Sequence, residues 1–126
     1  MAITKTVEHT AWGTLVIFSQ TSAANTAQTC STDALQAYRL LFTTCNYSAA
    51  PTQAGVTATF NAALGAAFDT VLNTGTANAQ ATVYQPTLPI TLRATDAIDV
   101  AAPAGGAGIT SSVMIYSLAT NERRGL

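Results

Sequence analysis

The sequence predicts an all-β fold, an antiparallel β-sandwich preceded by an N-terminal arm. Short apolar runs recur at intervals of roughly ten to fifteen residues, separated by small and polar residues, which is the pattern of a sandwich or barrel. The runs are rich in β-branched and aromatic residues, which favour strands. A length of 126 residues suits a single hydrophobic core. We therefore assign residues 1–13 to the arm and residues 14–126 to one sandwich domain.

The first strand of the sandwich is predicted over residues 14–20 (TLVIFSQ). Successive side chains of a strand point to opposite faces, so Leu15 and Ile17 lie on one face and Val16 and Phe18 on the other. We expect Leu15 and Ile17 in the core. The second face is also apolar, which predicts that the arm, a loop or another subunit covers it, because one face of an antiparallel sheet usually meets water. A central strand beneath a long loop would give the same pattern.

Two further segments, residues 31–42 and 60–72, carry apolar side chains at helical spacings of three and four. Glycine and β-branched residues in the second segment lower its helix propensity. Read as a strand, the first segment places Tyr38, Leu40 and Phe42 on one face. We predict strands for both.

The later strands alternate more clearly. Residues 55–60 (GVTATF) place every second side chain inward. Residues 88–101 read as a hairpin whose turn is residues 93–96, and a glycine-rich loop leads to a last strand over residues 112–118. The predicted core consists of the large inward-facing apolar residues, which are Leu15, Ile17, Phe42, Val56, Phe60, Ile90, Leu92, Ile98, Val100, Val113 and Ile115.

The surface is poor in charge. Charged residues make up 9% of the chain, against roughly 25% in an average soluble domain. Threonine, serine, asparagine, glutamine and alanine take their place, and such side chains can be covered by protein at low desolvation cost. This composition favours a protein that works in an assembled state, although a low-charge secreted protein would share it.

Composition also argues against several partners. The net charge is −1 with no basic stripe, so nucleic acid is not an expected partner. The N-terminus lacks a signal-peptide pattern and no apolar run is long enough for a bilayer, so no membrane partner is expected. His9 is the only histidine, and Cys30 and Cys45 lie fifteen residues apart, which fits no zinc pattern. We expect no metal. The two thiols are expected to be reduced and buried, and the alternative is a disulfide between neighbouring segments.

Catalytic residues are not expected either. An enzyme needs polar groups with matched pKa values gathered in a cleft. Asp96 and Asp99 are the only close carboxylates, and a spacing of three in a strand puts them on opposite faces. No GxSxG nucleophile motif is present. The sequence therefore predicts a non-enzymatic protein without cofactor or small-molecule substrate.

One stretch of the chain resembles a known family. The segment GVTATFNAALGAAFDTVLNTG is followed by VYQPTLPITLRATDAIDVAAPAGGAG and a final strand. This order resembles a family of small virion structural proteins of tailed bacteriophages, and the resemblance covers residues 55–116. It implies a jelly-roll sandwich, assembly as a homotrimer, and a place in the virion after assembly in the host cytoplasm. The first fifty residues, with Trp12 and both cysteines, have no counterpart in that family.

Three functions follow as hypotheses. The resemblance and the low charge favour a capsid decoration or cement protein that binds the outer surface of the major capsid protein shell and stabilises it. A tail, neck or head-fibre module would have the same fold. A carbohydrate-binding module would need exposed aromatic platforms, for which Trp12, Tyr47 and Tyr84 are candidates. The residues expected at a protein interface are apolar residues of the arm and first strand and a basic pair near the C-terminus, namely Ile3, Val7, Trp12, Val16, Phe18, Arg123 and Arg124.

Overall fold

The computed structural model describes residues 1–53 and 55–120. Within these residues the regular structure is ten strands and one 3-10 turn, with no α-helix. The elements are β1 (Thr4–Thr10), β2 (Gly13–Thr21), β3 (Gln28–Ser31), β4 (Tyr38–Tyr47), β5 (Thr57–Asn61), the 3-10 turn (Ala66–Phe68), β6 (Thr70–Thr74), β7 (Ala81–Tyr84), β8 (Ile90–Leu92), β9 (Ala97–Ala102) and β10 (Ser111–Ala119).

The strands form two antiparallel sheets. Sheet A has the order β1-β2-β10-β4-β7, and β8 pairs with β4 alongside β7. Sheet B has the order β3-β9-β5-β6. Side chains from both sheets meet in one buried cluster, so the sheets pack face to face. The predicted antiparallel β-sandwich is confirmed.

The connections make this sandwich a jelly roll. Four antiparallel strand pairs lie at increasing distance from one chain reversal: β5 with β6, β4 with β7 and β8, β3 with β9, and β2 with β10. Successive pairs alternate between sheet B and sheet A. A long two-stranded ribbon rolled up in this way is the jelly-roll arrangement.

The face of β2 that is buried in the core is not the face that the sequence predicted. Val16 and Phe18 are 0% and 1% exposed, whereas Leu15 and Ile17 are only partly buried. Pairing with β10 explains this, because Phe18 lies opposite the buried Ile115. The assignment of Leu15 and Ile17 to the core was wrong, and so was the placement of Val16 and Phe18 at an interface. Alternation alone could not choose between two apolar faces.

A β-bulge moves Phe42 out of the core. Tyr116 pairs with Phe42 and Ser117 pairs with Leu40, so Leu41 has no residue opposite it. An extra residue in one strand changes the face on which the following residues lie. Tyr38 and Leu40 therefore point into the core, and Phe42 lies on the outer face of sheet A against the ring of Tyr116. The prediction of Phe42 as a core residue was wrong.

The predicted hairpin over residues 88–101 does not exist as a pair of neighbouring strands. β8 belongs to sheet A and β9 to sheet B, and residues 93–96 cross between the two sheets. Its apolar residues Leu92, Ile98 and Val100 are nevertheless buried, because both strands turn their alternate side chains toward the shared core.

Strand structure covers only part of the two ambiguous segments. Residues 32–37 form a loop between β3 and β4, and residues 62–69 form a loop that contains the 3-10 turn. Neither segment forms an α-helix. Residues 32–37 cross from sheet B to sheet A, whereas residues 62–69 connect two neighbouring strands of sheet B.

Both cysteines are buried and free. Burial raises the pKa of each thiol, Cys30 and Cys45, to about 11. A thiol reacts as the thiolate, so both groups are inert at neutral pH in the folded protein. The expectation of reduced, buried thiols is confirmed.

A pair of substitutions tests which face of β2 is the core. Phe18→Ala is expected to lower the free energy of unfolding by about 3–5 kcal/mol, because it removes a fully buried ring and leaves a cavity. Ile17→Ala is expected to cost less than about half of that, because Ile17 is already partly in water. Chemical denaturation of both variants in dilute solution measures the difference. Equal losses would contradict the assignment.

Candidate interaction surfaces

The outer face of sheet A is apolar. Residues paired across strands share a face, and the outward-facing side chains of β2, β4, β7 and β10 include seven large hydrophobic ones. We call this surface the outer A face, and its apolar residues are Leu15, Ile17, Phe42, Val83, Met114, Tyr116 and Leu118. Val83 is 65% exposed and the other six are partly exposed.

The outer face of sheet B is different. Its residues are mainly small and polar, with Val71 as an exposed apolar exception: Thr29, Ser31, Thr57, Thr59, Val71, Thr74, Asp99 and Ala101. Side chains of this kind are stable in water. A contiguous apolar face on the opposite sheet is instead typical of a surface that another protein covers.

Side chains on the outer A face lie in rows across the strands. One row runs Arg39, Leu118, Leu15, Glu8 over β4, β10, β2 and β1. The next row runs Phe42, Tyr116, Ile17, Thr6 over the same strands. In this second row the two rings stack with centroids 4.5 Å apart and planes 16° apart. Two neighbouring rows therefore form a continuous apolar strip.

Opposite charges border this strip. Glu8 on β1 and Arg39 on β4 are both exposed, at the two ends of the first row. Among the described residues the ion pairs are Lys5 with Asp33 and Arg93 with Asp96, so neither Glu8 nor Arg39 has a charged partner there. Each of these two charges can therefore meet a group from outside the described chain.

Strand β1 extends sheet A beyond the sandwich. All seven of its residues are exposed, and it contains most of the predicted N-terminal arm. The Nζ atom of Lys5 lies 2.7 Å from the Oδ2 atom of Asp33 in the β3–β4 loop and 5.8 Å from the centroid of the Phe18 ring. The hydroxyl of Tyr38 donates to Oδ1 of Asp33 at 2.6 Å. These contacts and the pairing with β2 hold β1 in place without a buried face.

The Lys5–Asp33 pair is reflected in two pKa values. The hydrogen bond with Asp33 raises the pKa of Lys5. Partial burial raises the pKa of Asp33, but the hydrogen bonds from Lys5 and Tyr38 outweigh it and leave that pKa below its ordinary value. Both shifts favour the charged forms, so the pair is intact at neutral pH. Partial exposure of both side chains limits its stabilising effect.

Four exposed apolar side chains lie at one end of the sandwich. The β1–β2 turn, the β3–β4 loop, the β5–β6 loop and the β8–β9 crossing all emerge at this end, as the strand registers require. We call this surface the apolar end, and it carries Trp12 (88% exposed), Leu35 (80%), Leu64 (67%) and Phe68 (59%). The side-chain oxygen of Thr10 accepts from the backbone N–H of Trp12 at 3.1 Å and helps to fix the turn.

Two carboxylates anchor the loops of the apolar end. Asp96 is 1% exposed, and it accepts hydrogen bonds from the backbone N–H of Ala63 at 2.8 Å and from the N–H and Nε of Arg93 at 3.0 and 3.2 Å. Asp69 accepts from the backbone N–H of Ala62 at 2.8 Å. Burial raises the pKa of Asp96. The hydrogen bonds from Ala63 and Arg93 and the charge of Arg93 lower it by more than burial raises it, so the pKa lies below its ordinary value.

The predicted interface residues fall into three groups. Ile3, Val7 and Trp12 are exposed by 42%, 49% and 88%, so they are accessible to a partner. Val16 and Phe18 are core residues, as described above. Arg123 and Arg124 lie outside the described residues.

Sequence reasoning missed most of the outer A face. The signal was available in the last strand, where Met114 and Tyr116 alternate with Val113 and Ile115 and make that strand apolar on both faces. The exposed Leu64 of the apolar end was missed because its segment was read as a strand.

Metal-ligating side chains do not cluster among the described residues. No group of three or more His, Cys, Asp or Glu side chains is close enough to hold a metal ion within them. A groove of about 400 Å³ at one end of sheet B is lined by small side chains and Gln28, and none of the residues lining it is titratable. Surfaces rather than cavities are therefore the candidate functional features.

No protein-family model, curated protein or solved structure matches this chain. The resemblance to virion proteins of tailed bacteriophages therefore stays a prediction. Among the described residues, no helix has the length and apolar character that crossing a membrane would require.

Asp96 gives a testable prediction for the apolar end. Asp96→Asn is expected to lower the free energy of unfolding by about 1–3 kcal/mol at pH 7, because an amide group would face the Arg93 N–H donors. The folded pKa lies below the ordinary value of 3.8, so the stabilisation by the carboxylate is complete above about pH 5 and is lost as the pH falls through the folded pKa. Denaturant unfolding of both proteins between pH 7 and pH 3 should show the difference shrinking. A difference that stays constant would contradict this account.

Proposed function

We propose that this protein is a structural component of a tailed-bacteriophage virion, and that it is a decoration protein on the exterior of the capsid. In this role it binds the outer surface of the major capsid protein shell and stabilises the shell without catalysing a reaction. The observation that carries the proposal is the apolar end, where four large hydrophobic side chains are exposed, two of them on the β5–β6 loop that Asp69 and Asp96 anchor. The proposal also rests on the jelly-roll fold and the resemblance described above.

The physical argument concerns the cost of exposure. Each large apolar side chain gains roughly 1.5–3 kcal/mol when it moves from water into a protein environment. Trp12, Leu35, Leu64 and Phe68 together therefore hold enough unburied surface for a substantial binding energy. Because the carboxylates of Asp96 and Asp69 brace the β5–β6 loop, little conformational freedom remains to be lost on docking.

A charge-poor surface supports the same role. Charged residues are only 9% of the chain, so dense packing on a shell desolvates few ions. A protein that binds only the mature shell stabilises that state by mass action. The resemblance also implies a homotrimer, and this oligomeric state stays a prediction.

A tail, neck or head-fibre module remains a second proposal, since the same fold and surface would serve it. The carbohydrate-binding alternative is weaker. Tyr47 is only 4% exposed and its hydroxyl donates to the carbonyl of Pro103 at 2.8 Å, and Tyr84 packs against the core. Neither Tyr47 nor Tyr84 is therefore placed to join Trp12 in an aromatic platform for a sugar.

Rebinding to stripped shells tests the decoration role. Trp12→Ser and Leu64→Ser are each expected to weaken binding at least about tenfold, because each removes an apolar anchor worth more than about 1.4 kcal/mol. Both residues are exposed, so folding should be unaffected. The measurement is the bound fraction in sedimentation against protein concentration.

The matched control is Val71→Ser, which removes an apolar side chain that is 59% exposed on the outer face of sheet B. This variant should bind like the unaltered protein. Failure of the unaltered protein to bind any expanded shell would exclude the decoration role. Quantitative mass spectrometry of particles then separates the alternatives, since only a few copies per particle would assign the protein to the tail or neck.

A further inference from the structure

We propose that the outer A face is a homotypic interface, on which a second copy of this chain packs face to face about a two-fold axis parallel to the strands. The surface is distinct from the apolar end, and the inference does not depend on the virion role. It rests on the contrast between the two outer faces and on the order of residues across sheet A.

The first row of the outer A face is self-complementary. It reads Arg39, Leu118, Leu15, Glu8 from β4 to β1. A positive charge stands at one end, a negative charge at the other, and two leucines lie between them. Reversing the direction of this row and placing it on itself brings leucine onto leucine and each charge onto its opposite.

A two-fold axis produces this reversal. If the axis runs parallel to the strands midway between β2 and β10, it places β1 of one copy over β4 of the other and β2 over β10. Glu8 of each copy then faces Arg39 of its mate, so the pair forms twice. Leu15 faces Leu118 in the same way. An isologous contact of this type is the commonest way in which identical chains pair.

The remaining rows fit the same axis. Ile17 would face Tyr116, which extends the apolar strip across the centre of the contact. Thr6 would face Phe42, so a small side chain lies opposite a large ring at each end of the second row. Ser19 would face Met114 with the same match of small to large. The strands of two packed sheets commonly cross at an angle of up to about 30°. The side chains of Glu8 and Arg39 are long enough to reach each other at such an angle.

The area is adequate for a specific contact. Four strands about 4.8 Å apart and about nine residues long at 3.4 Å each make a face on the order of 600 Å² in projection. Protruding side chains raise the accessible area above the projected value, toward the roughly 800 Å² per partner of standard interfaces. The apolar strip supplies affinity, and the exposed ion pairs mainly select the register.

An unlike partner would fit these observations less well. Such a partner imposes no relation between the charges at the two ends of a row. Equal and opposite charges at equal distances from one axis are what a self-pairing face requires. The threonine-rich outer face of sheet B has no such arrangement in the rows that the described residues form.

Charge reversal tests the pairing. Glu8→Arg places arginine opposite arginine twice, and Arg39→Glu places glutamate opposite glutamate twice, so each variant should associate at least tenfold more weakly than the unaltered chain. An equimolar mixture of these two variants should form a mixed dimer, because both contacts then join opposite charges. The double variant Glu8→Arg/Arg39→Glu should also dimerise. Light scattering and sedimentation at micromolar to hundred-micromolar concentrations measure the masses.

The control is Thr74→Arg, which adds a charge at an exposed position on the outer face of sheet B and should leave association unchanged. Circular dichroism confirms that each variant is folded. A dimer, or a hexamer in which this face joins two of the trimers that the resemblance implies, supports the inference when it shows both the loss and the restoration. A monomeric or trimeric unaltered chain, single variants that associate normally, or a mixture that stays monomeric would overturn it. No particles are used, so this result is independent of the virion proposal.

Discussion

The pairing of β10 with both β2 and β4 is the constraint on which the rest of sheet A depends. β10 lies at the centre of that sheet, and its register decides which side chains of both neighbours enter the core. Ile115 and Val113 are fully buried between the sheets, and the hydroxyl of the buried Ser117 donates to the carbonyl of Val16 at 2.9 Å. A shift of β10 by one residue would exchange the core and the outer A face.

The outer A face and the apolar end follow from the same framework in different ways. The first is a product of strand register, because β1, β2, β10 and β4 contribute to each row and a bulge at Leu41 adds Phe42. The second is a product of connections, because two turns within a sheet and two crossings between the sheets emerge at the same end of the sandwich. Asp96 joins two of these connections through its contacts with Ala63 and Arg93. One fold thus carries two separate hydrophobic surfaces.

Local pattern predicted the fold class and much of the core but not the long-range pairing. Large apolar residues alternate with small or polar ones in the strands near Val56 and Ile98, so the burial of these two residues could be predicted from the sequence. The sequence could not show whether Leu15 and Ile17 or Val16 and Phe18 are buried, because both faces of β2 are apolar. The register of β2 with β10 distinguishes the two faces. The bulge and the crossing at residues 93–96 were not predictable because no local signal marks them. For the surfaces, exposure of Ile3, Val7 and Trp12 was expected from the N-terminal arm, whereas the outer A face required the register.

The rolled ribbon also sets the order in which this chain can fold. Val16 and Ser117 touch although 101 residues separate them, whereas β5 and β6 lie on either side of a single loop. Contacts between distant parts of a chain form slowly because a long loop must close first. A chain still emerging from the ribosome can build the β5–β6 tip, but it lacks the C-terminal strand that completes the outer A face. Until β10 is available, β2 and β4 have no common neighbour, so the core side of sheet A and the outer A face are completed together at a late stage of folding.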